Sequence, residues 1–177
     1  AESTVLDKLR GFSLRGDSEK LQQQLEDDVF VMDGMAILGQ WTVIYASPNC
    51  GKTLLAIWHL SESINLGVVR SANLFYVNAD DTFRGMTEKL LLAEKHRFEM
   101  LVPGHKGFQA AMVIALMSQL IDAEEASGVV LVLDTLKKFT DLMDKRVASK
   151  FGELARNFTA AGGTLICLAH TNKHKDA

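Results

Sequence analysis

Residues 41–60, WTVIYASPNCGKTLLAIWHL, bring together the residue types that hold phosphate. Their centre, Ala46-Ser47-Pro48-Asn49-Cys50-Gly51-Lys52-Thr53, follows the spacing G-x-x-x-x-G-K-[S/T] with alanine in place of the first glycine. Such a loop turns backbone N–H groups inward around two phosphates, at the positive end of a helix dipole. Gly51 lets backbone approach phosphate, Lys52 reaches the terminal phosphates, and the Thr53 hydroxyl ligates magnesium. Leu54 carries the binding segment into the helix. The first glycine serves the tight exit from the strand, so Ala46 costs little if its φ stays negative. Lys52 is expected to be solvent-accessible, with phosphate rather than another side chain as its partner. Cys50 reads as a small loop side chain, with a redox role as the alternative.

A magnesium nucleotide also needs a carboxylate beside the metal. GVVLVLD delivers Asp134 at the tip of an apolar run; taken alone, that residue would equally suit a helix cap. Hydrolysis further needs a group that positions the attacking water. YVNADDT offers Asp80 and Asp81, one facing the γ-phosphate and the other capping the next helix. The alternative is that both are helix-start residues. AHTN places His170, Thr171 and Asn172 at the end of a last apolar run, where they could sense the γ-phosphate.

These residues need a scaffold that gathers strand ends. The apolar pattern predicts strands over 42–46, 73–78, 129–134 and 164–170, with a short edge strand near 99–102. Helices are expected over 51–66, 82–98, 107–126 (closed by Gly128) and 147–161 (stopped at Gly162-Gly163). A short helix through EKLQQQLEDD and turns at Gly34 and Gly39 precede them. Continuous Val/Ile/Leu strands separated by helices predict an α/β fold, a mostly parallel sheet covered by helices on both faces. In such sheets ligands sit outside the carboxyl ends of the strands, where Ala46, Asn78 to Asp81, Asp134 and His170 all fall.

The composition is that of one ordinary domain: 177 residues, 47% apolar, 23% charged, net charge −3. That charge gives no polybasic signature for nucleic acid. Cys50 and Cys167 make neither a disulfide framework nor a zinc cluster, which points to a reducing, cytoplasmic setting. No apolar run approaches the roughly 18 residues of a membrane span, so no membrane partner is expected.

The succession ASPNCGKT, NADD, LVLDT and LICLAHTNK resembles the RecA-like P-loop ATPases. Within them it is most similar to the branch of the plasmid replicative helicase RepA and related phage and plasmid ATPases, which end the last strand in a like motif. The resemblance covers about residues 29–175, which divides the chain into an N-terminal arm and short helix (1–28) and an ATPase core (29–177). It implies ATP and Mg2+ as cofactors and a homo-oligomeric ring or filament with ATP at subunit interfaces. Lys52 and Thr53 would bind phosphate and magnesium, Asp134 would orient the metal's water shell, and His170 would sense the γ-phosphate. The family usually has Glu where this chain has Asp80, and its cores continue past residue 177, so a truncated core is expected. The resemblance implies a helicase-like motor in DNA replication, recombination or repair. Two alternatives remain: a nucleotide-gated assembly switch with weak hydrolysis, and a small-molecule or nucleoside kinase. Against the kinase, the only lid candidates are the lysine-rich residues Lys137, Lys138, Lys145 and Arg146.

Overall fold

Five strands run parallel in one sheet: β3 (Trp41–Ala46), β4 (Leu74–Asn78), β5 (Glu99–Leu101), β6 (Val130–Asp134) and β7 (Thr164–His170). Their spatial order is β3-β7-β6-β4-β5. Before them come helices α1 (Val5–Gly11) and α2 (Ser18–Glu26) and a small antiparallel hairpin, β1 (Phe30–Met32) with β2 (Ala36–Ile37). The hairpin turns at Gly34 and exits at Gly39, both at positive φ. The structure, a computed structural model, describes residues 4–26, 28–79, 83–141 and 144–171. No helix among them is long and apolar enough to cross a membrane.

Parallel strands need helical crossovers, and four helices supply them: α3 (Lys52–Asn65), α4 (Phe83–His96), α5 (Met112–Asp122) and α6 (Lys145–Ala160). The side-chain period of two in a strand then sorts the core. Even-numbered positions, Ile44, Leu74, Tyr76, Val130, Val132, Ile166 and Leu168, pack with Ala56, Ile57 and Leu60 of α3 and Ala93 of α4. Odd-numbered positions, among them Val77, Leu131, Leu133, Leu165 and Cys167, pack with Val113 and Met117 of α5 and Phe151, Ala155 and Phe158 of α6. Both faces are therefore dry, which is why these strands read as unbroken apolar runs.

The approach hairpin closes the α3 face. Ser63 Oγ donates to the Val31 carbonyl at 2.6 Å, and the Gly39 N–H donates to Thr164 Oγ1 at 2.8 Å. On the opposite face α6 begins at Asp144, whose carboxylate accepts from the N–H groups of Arg146 and Val147. It presents Phe151, Ala155 and Phe158 to the sheet, spaced so that one helical stripe faces inward. Gly163 turns the chain back into β7 with no room to spare: a Cβ there would lie 2.4 Å from the Phe158 ring.

Two expectations need correction. α5 starts at Met112, not near 107, because Gly107 has φ 75 and the Gly104 N–H bonds the Phe108 carbonyl, folding 104–108 into a turn. It also closes at Asp122 rather than at Gly128, through Ala123 and a left-handed Glu124. The N-terminal arm, where only the short helix through EKLQQQLEDD is expected, also contains α1, started by a capping box in which Thr4 and Asp7 bond each other.

Candidate active site

The chain leaves β3 for α3 on one face, whereas it leaves β6 for α6 on the other. The carboxyl ends of β3, β7 and β6 therefore border a crevice from which connections diverge. Asn78, Asp134 and His170 share the even parity of the α3 face, so three strand ends aim polar side chains at the helix that follows the phosphate loop.

The loop itself has the required backbone. Ala46 is the last residue of β3, in register with His170, and its carbonyl accepts from the Thr171 N–H at 3.2 Å. It is not among the residues of positive φ. Ser47 and Pro48 lead into a left-handed Asn49 (φ 59), and Gly51 caps α3 at φ 83, a conformation for which glycine has no Cβ penalty. No side chain caps α3, and its first intrahelical bond runs from Leu55 N–H to the Gly51 carbonyl. The N–H groups of Lys52, Thr53 and Leu54 thus face the cleft end of the helix dipole as donors for an anion.

Two hydrogen bonds tie this loop to the strand ends. Thr53 Oγ1 donates to Asp134 Oδ2 at 2.7 Å, and Lys52 Nζ lies 2.8 Å from His170 Nδ1. An ammonium can only donate, so Nδ1 accepts and the imidazole carries its proton on Nε2. Lys52 is half-buried at the cleft wall, and its side-chain partner corrects the expectation that phosphate alone would engage it. The parity of β7 sets His170 beside α3, so the lysine meets the ring before any phosphate arrives. Asp134, 3% exposed, also accepts from Tyr76 OH at 2.8 Å, while Thr135 Oγ1 donates to the Leu168 carbonyl.

A cleft of about 530 Å3 opens over these groups. It is lined by Asn49, Cys50, Gly51, Lys52, Thr53 and Leu54 from the loop, Asp134 and His170 from the strands, and Gly85, Glu88 and Lys89 from α4. Ala46, Ser47 and Pro48 shape the strand exit without lining it. Asp80 and Asp81 lie outside the described residues. The Ala79 N–H just before them bonds the Asp134 carbonyl at 2.6 Å, so the chain enters that segment beside the Asp134 backbone. Sequence reasoning missed Tyr76, Glu88 and Lys89. Tyr76 had a signal in its parity with Asn78; the α4 residues had only their place in the first turns of a helix after a strand end.

A hard cation fits this donor set. One hydroxyl and one carboxylate stand in hydrogen-bond contact at the cleft wall, and magnesium takes its remaining oxygens from phosphate and water. Thr53 and Asp134 would hold it, and when bound it neutralises charge developing on the phosphates.

A smaller cavity beneath α5, about 210 Å3, is walled by Phe75, Val77, Met117 and Leu131 and offers an anion nothing. The AAA domain family matches residues 12–176 of this sequence. No protein of curated function matches the chain. With nearly the whole length covered and the phosphate loop formed on a parallel sheet, the chain belongs to the AAA domain family of P-loop ATPases.

Proposed function

We propose that this chain is a magnesium-dependent ATPase motor domain that works on DNA in replication, recombination or repair, in the manner of the RepA branch. One observation carries the reading: both key side chains of the loop are bonded to strand ends, Thr53 to Asp134 and Lys52 to His170. A terminal phosphate that draws Lys52 to itself competes with His170 for the same ammonium, so nucleotide state reaches the end of β7 directly. That is how a γ-phosphate sensor acts. The following residues of the AHTNK motif would carry the signal outward, and the resemblance of that motif supports a nucleic-acid partner.

In this mechanism the N–H groups of Lys52, Thr53 and Leu54 bind and orient the phosphates. Lys52 offsets charge on the leaving and transferred groups. Asp80 positions the attacking water, with Asp81 as the alternative. An aspartate where the family carries glutamate reaches less far, which supports slow hydrolysis until chains assemble. Leu54, Leu55 and Trp58 form an exposed apolar stripe on α3 beside the cleft, and this supports a second copy covering the nucleotide.

Phosphate release measured with and without single-stranded DNA tests the proposal. Stimulation by DNA supports the motor. Binding without turnover in either condition would replace it with an assembly switch, and transfer to a small acceptor would replace it with a kinase.

A further inference from the structure

The hydroxyl of Tyr76 is buried on the α3 face of the sheet, among apolar neighbours. Tyr76 has no exposed surface, and its ring packs against Phe98 with centroids 6.4 Å apart. Phenylalanine would fill that space equally well. A buried phenol is retained at a cost unless its O–H finds a partner. Here the partner is Asp134.

The register explains the meeting. Asn78 is paired with Asp134 across β4 and β6, and Tyr76 stands two residues earlier on the same face. Two strand residues span about 6.6 Å, about the reach of a tyrosine leaning along its strand. Its O–H donates to Asp134 Oδ2 at 2.8 Å, and Thr53 Oγ1 donates to the same oxygen at 2.7 Å. A carboxylate gripped by two donors on Oδ2 cannot turn about its Cβ–Cγ bond without losing both. Thr53 belongs to the loop, and its hydroxyl must also serve the cation. Tyr76 belongs to the sheet, which need not move.

We infer that Tyr76 is a positioning residue for the ATPase reaction, its buried hydroxyl fixing the Asp134 carboxylate in the orientation that receives the nucleotide's divalent cation. This rests on the reading of Asp134 as the metal-side carboxylate. Tyr76 touches neither nucleotide nor cation; it acts through Asp134. Groups that orient a metal's carboxylate change metal affinity when removed, whereas a bond that only braces the fold changes stability.

The test uses the full chain saturated with a non-hydrolysable ATP analogue and reads free Mn2+ by its paramagnetic resonance signal. Tyr76→Phe keeps the ring and deletes the hydroxyl. It should weaken Mn2+ binding about tenfold, at the lower end of the range for outer-shell partners, while nucleotide affinity in EDTA stays within about twofold by the same reasoning. Asp134→Asn should weaken Mn2+ binding further, and adding Tyr76→Phe to it should change nothing more. Phe98→Leu disturbs the same pocket but keeps the hydroxyl; it should lower the melting temperature and leave Mn2+ affinity alone. Unchanged Mn2+ binding in Tyr76→Phe, or an equal loss in Phe98→Leu, would reduce the bond to a structural brace and overturn the inference. Unchanged binding in Asp134→Asn would instead remove the metal reading of Asp134, and the inference with it.

Discussion

On the α3 face of the sheet, β4, β6 and β7 end in Asn78, Asp134 and His170. One residue earlier, on the face covered by α5 and α6, the same strands carry Val77, Leu133 and Ala169. In the polar set Asp134 meets Thr53 and His170 meets Lys52, whereas the apolar set lies in the core cluster that α5 and α6 close. A strand that alternates faces can thus serve two purposes at once. The α5–α6 face keeps the sheet dry, and the α3 face gives its last positions to chemistry. The separation implies that substitutions on one face should move stability and those on the other should move binding.

The sharpest attempt to break that separation is Phe158→Ala. Phe158 is fully buried on the α5–α6 face and braces the Gly163 turn. Truncation should lower the unfolding free energy by about 3–5 kcal/mol, read from denaturant titration. The fraction still folded should bind ATP as the parent does. A parallel loss of affinity in folded protein would show that the two faces are coupled.

The converse is Lys52→Ala. It should weaken ATP binding by about 100-fold, from the loss of charge-assisted bonds to phosphate. The melting temperature of the nucleotide-free chain should hardly change, although the bond to His170 is also lost. That contact is part-buried at the wall of an open cleft, so water can take the lysine's place beside the His170 ring. Affinity equal to the parent's by fluorescent-nucleotide titration would remove the phosphate assignment.

The two cysteines extend the comparison to pH. Cys50 is exposed at the loop, whereas Cys167 lies on the α5–α6 face, where burial pushes its thiol up from 9.0 to about 12. Between those values the unfolded chain loses the thiol proton and the folded chain keeps it. Stability from this group is therefore complete below pH 9 and falls as pH rises, by about 1.4 kcal/mol per unit until the folded thiol itself ionises. Cys167→Ala should flatten that alkaline slope in melting curves. At neutral pH a thiol reagent should modify Cys50 alone, and early modification of Cys167 would mean that this face opens.

The elements legible in the sequence were those whose pattern is local. Unbroken runs such as VVLVLD marked the doubly covered strands, and Gly162-Gly163 marked the end of α6. The start of α5 was not legible, because Phe108, Ala110 and Ala111 continue an apolar pattern while Lys106 and Gly107, both at positive φ, break the backbone. α1 was missed because seven residues with no buried side chain carry no core pattern, although Thr4 and Asp7 spell its cap. At the site, sequence named Lys52, Thr53, Asp134 and His170 but not their pairing. Which donor meets which acceptor is decided by strand order, with β7 lying between β3 and β6. Tyr76 reads as core until that register is known.

The smallest expected effect returns to the loop's altered first position. Ala46→Gly would restore the usual spacing of glycines, and a loop impaired by its alanine would then gain affinity. The backbone argues otherwise. Ala46 is paired with His170 in the ladder, lies outside the positive-φ residues and does not line the cleft. Glycine there relieves no strain. It loosens a strand end instead, at a cost of about 0.5–1 kcal/mol in stability. ATP affinity should therefore change by less than about 1 kcal/mol, with a slightly lower melting temperature. Gly51→Ala supplies the contrast, since at φ 83 a Cβ strains the very residue that caps α3. It should weaken binding by severalfold, given about 1–2 kcal/mol for a left-handed non-glycine residue. A large gain in affinity from Ala46→Gly would mean that the exit from β3, not the cap of α3, limits how the loop closes on phosphate.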